Sequence, residues 1–133
     1  MEGISANLTV SDFKVDNDNV FINPRIMRGN PGMLLVWATW CSHCVKFKPI
    51  YQKMTSQLNQ VGDSFACLAI DNDELKKDNG AISSALNVKG FPTICWVAQD
   101  GKVIGQYEGG RDMNSILTQV CNVYHHCVEY HSL

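Results

Sequence analysis

The feature that most constrains this chain is a continuous apolar segment that leads directly into two cysteines separated by two residues. Residues 33–38 read MLLVWA, and Cys41 and Cys44 follow them. A short apolar run of this kind, placed after an Asn-Pro-Gly turn signal, predicts a strand buried on both faces of a sheet. Residues 42–60 then carry apolar side chains mostly three and four positions apart, which predicts a helix that begins at the cysteine pair.

After this helix the sequence continues to alternate between apolar strands and helices. The same patterns predict strands at residues 65–70, 93–98 and 102–107, and helices at residues 81–87 and 113–124. Residues 71–79 are polar and indicate a loop or an irregular helix, and a Gln-Asp-Gly sequence predicts a hairpin turn before the last strand. This order favours an α/β fold in which a mixed sheet is flanked by helices and ends in an antiparallel hairpin.

The first 32 residues have a weaker pattern than the rest. Residues 8–10 are a candidate strand, with Ser11 and Asp12 opening a helix, and residues 20–23 (VFIN) are an alternative strand. Because the chain has 133 residues and neither an internal repeat nor a linker, we expect a single domain over residues 1–133.

The composition indicates a globular protein and argues against several functional classes. Hydrophobic residues make up 45% and charged residues 18% of the chain, as is typical of a folded domain. The formal net charge of -2 does not favour nucleic-acid binding. The sequence has neither a signal segment nor an apolar run of about 18 residues, so we expect a cytoplasmic protein with no membrane partner. We also expect a monomer.

The cysteine pair offers reactive chemistry because it lies at the junction between a strand and a helix. The unpaired N–H groups and partial positive charge of a helix N-terminus stabilise a thiolate and lower the pKa of the thiol. Cys41 is therefore predicted to be the attacking thiolate, and Cys44, one helical turn further on, the resolving thiol. The alternative is half of a zinc site, but zinc-binding pairs usually lie in tight turns.

Further segments accompany the pair, and together they resemble the thioredoxin superfamily and, within it, the protein disulfide isomerase-like domains. They are Trp37-Ala38-Thr39-Trp40 directly before the pair, Pro49, Gly90-Phe91-Pro92-Thr93 and Tyr107-Glu108-Gly109-Gly110-Arg111. The resemblance covers about residues 33–124. It implies a thioredoxin fold with a mixed four- or five-stranded sheet, and a thiol–disulfide oxidoreductase that needs no cofactor beyond its own dithiol.

The resemblance also implies where a substrate binds. Trp40 is expected to pack beside the active site, and Phe91 to precede Pro92 in a cis peptide that faces the two sulfurs. A cis X-Pro bond costs little and leaves a backbone edge exposed. An extended substrate peptide is expected to pair with that edge as an added strand.

Two charged side chains are implied to tune the cysteines. The His43 imidazolium is expected to stabilise the Cys41 thiolate, which makes the pair a better oxidant. Arg111 is expected to swing toward Cys44 and to lower its pKa. The alternatives are an ordinary exposed helix residue for His43 and an ordinary solvated arginine for Arg111.

The sequence departs from the family where a buried carboxylate usually moves protons for the resolving cysteine. That position is Leu35, and the positions of the usual lysine partner are Cys67 and Ala69. Loss of one partner alone would leave a buried charge that costs about 3–5 kcal/mol, whereas replacement of both by apolar groups can be neutral. We therefore expect a dry, uncharged pocket behind Cys44 and slow deprotonation of its thiol.

The other four cysteines lie outside the motif. Cys67 and Cys95 fall within apolar strands and are predicted to be buried free thiols. The tail contains Cys121, His125, His126, Cys127 and His131. Three alternatives are open for this tail: a metal site, a disulfide between its two cysteines if the helix ends between them, or partly exposed thiols without a role.

The leading functional prediction is an oxidoreductase that exchanges a dithiol or disulfide with protein substrates and is recycled by a separate reductase or thiol oxidase. His43 and Arg111 favour an isomerase-like or oxidising direction, whereas the missing secretion signal favours a thioredoxin-type reductase. A dedicated cytosolic oxidation pathway, such as large cytoplasmic DNA viruses use, would reconcile the two. The alternatives are a peptide-binding chaperone module with low turnover and a metal-binding protein that combines the cysteine pair with the tail.

Overall fold

The computed structural model describes residues 1–128, and its centre is a mixed five-stranded sheet. In chain order the strands are β1 (Ala6–Asn7), β2 (Phe13–Asp16), β3 (Asn19–Ile22), β4 (Gly32–Trp37), β5 (Ala66–Asp71), β6 (Thr93–Val97) and β7 (Val103–Gln106). The main sheet has the order β1-β5-β4-β6-β7, and β2 and β3 form a separate antiparallel hairpin. The predicted mixed sheet is therefore confirmed, with five strands.

The helices lie between and after these strands. They are α1 (Pro24–Met27), α2 (Ser42–Leu58), α3 (Asn72–Leu75), α4 (Ala81–Leu86) and α5 (Met113–Tyr124). The polar stretch predicted to be a loop or an irregular helix is α3 followed by a 3-10 turn at Lys76–Asp78. None of the helices in the described part of the chain is long and apolar enough to cross a membrane.

β4 is the central strand because its side chains are apolar on both faces. It pairs in parallel with β5 and antiparallel with β6, so that Leu35 lies between Ala69 and Ile94. Residues 33–36 are at most 1% exposed. Because both neighbours hold β4 along almost its whole length, the end of the strand that leads to Cys41 has a fixed position.

Helices pack on both faces of the sheet and form two apolar layers. Met33 and Leu35 point to the layer under α2 and α5, where Phe47 is buried with them. Leu34 and Val36 point to the other layer, which is covered by α1, α3, α4 and the β2–β3 hairpin. This alternation along β4 follows from the period of two in a strand, which sends successive side chains to opposite faces.

Tyr51 fixes α2 over the two central strands. Its side chain is fully buried, and its hydroxyl lies 2.7 Å from the carbonyl oxygen of Leu68 and 3.3 Å from that of Met33. Burial holds the pKa of Tyr51 well above its usual value, so the hydroxyl keeps the proton that it donates. The position of α2 over β4 and β5 in turn places the first turn of the helix at the end of β4.

The N-terminal segment differs from the first prediction. Residues 8–10 are not a strand and Ser11 does not open an α-helix, because Val10–Asp12 form a single 3-10 turn. In this turn the N–H of Thr9 donates to the Asp12 carboxylate at 2.8 Å. The N–H of Val10 donates to the Glu74 carboxylate at 3.0 Å, so it is not available to a strand neighbour.

The alternative strand at residues 20–23 is confirmed as β3. Asn17 and Asp18 connect it to β2, and both have left-handed backbone angles, with φ of 49° and 65°. Two successive left-handed residues form the turn that matches the twist of an antiparallel hairpin, and Asn and Asp tolerate this conformation better than most residues. The hairpin covers one end of the sheet, since the N–H of Ile22 donates to the carbonyl of Gly101 at 2.7 Å.

Candidate active site

Cys41 lies where β4 has ended and α2 begins, and it caps the helix. Its backbone is extended (φ -87°, ψ 116°), and its Sγ accepts the N–H of Cys44 at 3.3 Å. The first N–H groups of a helix have no carbonyl partners within it, so the sulfur satisfies one of them. Cys41 is 9% exposed and forms a small apolar cluster with Ala38 and Cys44. The sulfur is therefore at the edge of the core.

A loop from the opposite side of the sheet brings Phe91 and Pro92 to this sulfur. The peptide between them is cis, as the resemblance implied. The Cys41 thiol lies 3.6 Å from the carbonyl oxygen of Phe91, within reach of a weak S–H donor. Trp40 is 68% exposed and meets the Phe91 ring edge-to-face, with 5.6 Å between the ring centroids. A backbone edge and an aromatic pair therefore border the sulfur.

The surroundings of Cys41 lower the pKa of its thiol. The largest cause is the hydrogen bond with the Cys44 thiol, and the backbone N–H groups of Cys44 and His43 and the charge of Arg111 act in the same direction. Partial burial opposes them. All four favourable causes stabilise negative charge on the sulfur, so the thiolate forms at a lower pH than in a free cysteine.

The partner thiol has the opposite shift. Burial raises the pKa of Cys44 to about 11, and its hydrogen bond with Cys41 adds to the increase. Cys44 is 3% exposed and packs among apolar groups that include Trp37 and Ala38. At neutral pH the pair therefore consists of an activated sulfur at the edge of the core and a protonated thiol behind it.

Arg111 lies near both sulfurs, in a loop that the structure holds in place. Its charge lowers the pKa of Cys41 and of Cys44. The Tyr107 hydroxyl donates to the Gly110 carbonyl at 2.6 Å, which closes the loop directly before the arginine. Gly109 has φ of 150°, and a Cβ at this position would lie 2.6 Å from the Tyr107 hydroxyl. Glycine at this position therefore lets the ring pack against the loop.

His43 is exposed on the first turn of α2. It acts on Cys41 through its backbone N–H, which is one of the groups that lower the pKa of the thiol. A backbone group acts in this way whatever side chain the residue carries. The predicted effect of the imidazolium on the thiolate, and the predicted swing of Arg111 toward Cys44, stay predictions.

The region behind Cys44 is apolar, as expected from Leu35. Leu35 and Ala69 are buried opposite one another on β4 and β5, and Cys67 is buried in the same layer. Within residues 1–128 no Asp, Glu, Lys, Arg or His side chain is buried, so no buried carboxylate or amine accompanies the cysteines there. Burial also raises the pKa of Cys67 to about 12, which leaves it unable to accept a proton at neutral pH.

The comparisons with known proteins agree with this geometry. The thioredoxin family model matches residues 12–122, which is most of the chain. The chain belongs to the thioredoxin family. The predicted superfamily and fold are thus confirmed, and the matched segment contains the cysteine pair, the cis proline and Arg111.

Within the thioredoxin family, the similar proteins include protein disulfide-isomerases. The chain is 32% identical over 104 residues to protein disulfide-isomerase from Datisca glomerata, a match that covers 77% of this chain and 20% of that protein. It is 34% identical over 84 residues to protein disulfide-isomerase 1 from Dictyostelium discoideum, covering 63% and 22%. The chain thus spans about a fifth of the length of these relatives.

The solved structure of a single thioredoxin domain matches this chain over most of the length of both chains. The first thioredoxin domain of mouse protein disulfide-isomerase A4 aligns with a TM-score of 0.58 and 25% identity. The alignment covers 91% of this chain and 84% of that domain. The chain is therefore similar to one thioredoxin domain of such a protein.

The remaining cysteines of this thioredoxin-family chain lie away from the pair. Cys67 and Cys95 are buried free thiols, as predicted, and burial raises the pKa of each to about 12. Cys121 and Cys127 form a disulfide, which is one of the three alternatives for the tail. The helix that contains Cys121 ends at Tyr124, before Cys127, and the sequence predicted the disulfide only if the helix ended between the two cysteines.

The metal-site alternatives find no support in the described part of the chain. Residues 1–128 contain no group of three or more His, Cys, Asp or Glu side chains that could hold a metal ion. His131, which was a candidate ligand, lies outside the described residues.

The hydroxyl of Tyr124, next to the tail cysteines, lies 3.3 Å from the Gly32 carbonyl at the start of β4. The tail is therefore at the opposite end of β4 from Cys41.

Sequence reasoning named Phe91 and Tyr107 but did not identify the roles that two of their groups have in the site. One is the carbonyl of Phe91, whose contact with Cys41 depends on how the loop folds across the sheet. The other is Tyr107, which holds the loop before Arg111. The Gly109-Gly110 sequence was the available signal for Tyr107, because two glycines after an aromatic residue permit a close backbone approach.

We predict that Cys41 reacts first when the reduced protein is alkylated. At neutral pH iodoacetamide should label Cys41 and leave Cys44 largely unlabelled, because the first thiol has a lowered pKa and the second is buried and protonated. Peptide mass spectrometry across a pH series measures both rates, with the buried Cys67 and Cys95 as internal controls. Equal labelling of the two active-site thiols at neutral pH would contradict the assignment.

We also predict that Arg111→Gln raises the pKa of both active-site thiols. The positive charge favours both thiolates, so its removal should move the inflection of the Cys41 alkylation rate to higher pH. Arg111→Lys is the matched control, because it keeps the charge in the same loop and should retain most of the effect. An unchanged inflection in the glutamine variant would show that the charge does not act on the sulfur.

Proposed function

We propose that this protein is a thiol–disulfide oxidoreductase that exchanges the Cys41–Cys44 dithiol or disulfide with cysteines of protein substrates, in an isomerase-like or oxidising manner. The observation that carries the proposal is the opposite shift of the two pKa values at one strand–helix junction. The similarity to protein disulfide-isomerases supports the same chemistry.

The lowered pKa of Cys41 serves both halves of an exchange reaction. As a thiolate, Cys41 attacks a substrate disulfide, forms a bond to one substrate sulfur and releases the other as a thiolate. In the reverse step a substrate thiolate attacks the mixed disulfide and Cys41 leaves, which is faster for a thiol of low pKa. The N–H groups at the start of α2 stabilise the sulfur charge in both directions.

The raised pKa of Cys44 favours isomerisation over reduction. A reductase completes its cycle when the second cysteine, as a thiolate, displaces the reduced substrate from the mixed disulfide. With a pKa of about 11, Cys44 is almost entirely protonated at neutral pH. Burial, the largest cause of this increase, also acts on Cys44 in the mixed disulfide, so its thiol resolves that bond slowly and a substrate thiol can attack first.

The substrate binds beside the sulfur along the Phe91–Pro92 edge. The carbonyl of Phe91 points at Cys41, and the exposed Trp40 ring packs on the Phe91 ring. An extended peptide that places its cysteine against Cys41 meets a backbone acceptor and an aromatic surface together. This arrangement selects unfolded or partly folded protein segments with accessible cysteines.

The location and the recycling partner belong to the same proposal. We place the protein in the cytoplasm as a monomer, where a thiol oxidase returns the pair to the disulfide after each oxidation. The competing proposal is that the same cysteine pair reduces its substrates, as a thioredoxin-type reductase does.

The experiment is reactivation of scrambled ribonuclease, with aggregation of reduced insulin measured in parallel. The native protein should restore ribonuclease activity, Cys41→Ser should abolish the effect, and Cys44→Ser should retain part of the isomerisation because Cys41 alone can attack and leave. A chaperone module would suppress insulin aggregation equally well in the Cys41→Ser variant. That result, together with no reactivation by the native protein, would overturn the proposal.

We predict that a carboxylate in the pocket behind Cys44 changes the pH dependence of turnover. Leu35→Glu places an ionisable group in the apolar layer under α2 and α5. Trp37 packs against both this layer and the cluster that contains Cys41 and Cys44. Such a group can take the proton of Cys44 and speed resolution, at a cost in stability of roughly 3 kcal/mol when it is ionised without a partner. The measurement is the pH profile of insulin reduction, with stability followed by urea unfolding.

Leu35→Gln is the matched control for this prediction. Glutamine has nearly the same shape as glutamate and loses the same apolar packing of the leucine, but it does not titrate. We expect its pH profile to follow that of the native protein. If the glutamate and glutamine variants share one profile, proton transfer by Cys44 does not limit turnover.

A further inference from the structure

The Cys121–Cys127 disulfide closes a turn at the end of α5. The helix ends at Tyr124, and His125 takes a left-handed conformation with φ of 56°, so the chain reverses and Cys127 returns to Cys121. The two Cα atoms are 4.3 Å apart. Cys127 is exposed and Cys121 is half-buried, so a thiol in solution can reach the bond.

The turn after this helix folds back over the core, and we call residues 125–128 the C-terminal clasp. The His126 ring packs on Phe65 with 5.4 Å between the ring centroids, and its Nε2 lies 2.8 Å from the Leu58 carbonyl oxygen at the end of α2. Val128 packs against the apolar layer under α2 and α5. The clasp thus joins the ends of α5 and α2 and covers the start of β5.

Few other contacts with residues 1–128 hold the clasp. Among these residues, the His125 N–H donates to the Cys121 carbonyl at 2.9 Å, His126 Nε2 contacts the Leu58 carbonyl, and the Cys127 sulfur lies 3.9 Å from the Cys121 carbonyl oxygen. Within the described part of the chain, the clasp therefore has no ladder of hydrogen bonds like that of a strand or a helix. The covalent bond is the strongest of its links to the rest of the domain.

The active-site pair of the same molecule cannot reach this disulfide. Tyr124, three residues before Cys127, contacts the carbonyl of Gly32 at the start of β4, whereas Cys41 follows the other end of that strand. A strand of 6 residues spans about 17 Å at 3.3 Å per residue. Any exchange at the tail therefore uses a thiol from outside the molecule.

We propose that Cys121 and Cys127 form a second, exchangeable redox pair, whose disulfide holds the clasp on Phe65 and whose reduction releases it. The site differs from the buried thiols Cys67 and Cys95, which are inaccessible to any reactant. The inference is independent of the function proposed for Cys41.

The reaction is an ordinary exchange with two molecules of a small thiol. The first thiolate bonds to the exposed Cys127 sulfur, the bond to Cys121 breaks, and Cys121 leaves as a thiolate that takes a proton from water. The second thiolate attacks the small-molecule sulfur of the mixed disulfide and releases Cys127 in the same way. Two small thiols are oxidised to one disulfide, and the tail pair is reduced to two thiols.

The test uses the full chain with Cys41→Ser and Cys44→Ser, so that the active-site pair cannot contribute to the result. This protein is equilibrated with reduced and oxidised glutathione at a series of ratios, and free thiols are then trapped and located by peptide mass spectrometry. Hydrogen exchange of residues 121–128 and of the segment around Phe65 is measured at the same ratios.

We expect the tail pair to change from oxidised to reduced within the glutathione series. Exchange in both segments should become at least about tenfold faster as it does so, because amides freed from a local structure exchange through low-energy openings. Cys121→Ser with Cys127→Ser is the control, and it should exchange fast at every ratio. A pair that stays oxidised throughout, or reduction without faster exchange, would overturn the inference.

Discussion

The cap that the Cys41 sulfur places on α2 is the interaction on which the rest of this site depends. A helix N-terminus stabilises a nearby negative charge only if both are held in a fixed relation. Here the sulfur is fixed because β4, the strand before it, is paired on both sides, and the helix is fixed because Tyr51 bonds to the carbonyls of that strand and of β5. The fold thus supplies a prearranged site for a thiolate.

The apolar core that fixes this cap also determines the behaviour of the second cysteine. Cys44 is one turn into the helix, where burial raises the pKa of its thiol to about 11. A buried carboxylate would give that thiol a proton acceptor, but Leu35 occupies the position and the layer around it is apolar. One arrangement therefore produces a fast nucleophile and a slow resolving thiol, which is the combination that isomerisation requires.

Most of the framework could be predicted from the sequence because its signals are local and strong. The helix predicted at residues 113–124 is α5, and the strand predicted at residues 33–38 is β4 within one residue at each end. The β2–β3 hairpin was missed because β2 is mostly exposed and its turn depends on two left-handed residues, Asn17 and Asp18. Short polar strands of this kind carry little hydrophobic periodicity.

The parts of the site that escaped prediction depend on tertiary contacts. The resemblance placed the Phe91–Pro92 peptide opposite the sulfurs, but it did not indicate that the Phe91 carbonyl meets the Cys41 thiol, 50 positions away in the sequence. The choice among the alternatives for the tail likewise depended on whether the chain reverses at His125, and few residues other than glycine take the left-handed conformation that this reversal needs. By contrast, the apolar pocket was predictable, because a buried charge needs a partner and the sequence offered none.

The reduction potential of the Cys41–Cys44 pair, measured by equilibration with glutathione in a variant whose tail cysteines are serine, is the most direct test of this account. Stabilisation of the Cys41 thiolate favours the reduced form, so we predict a potential near the isomerase-type value of about -180 mV. A potential near the thioredoxin-type value of about -270 mV would contradict it. The helix cap and Arg111 would then not bias the pair toward oxidation, and the protein would be a reductase.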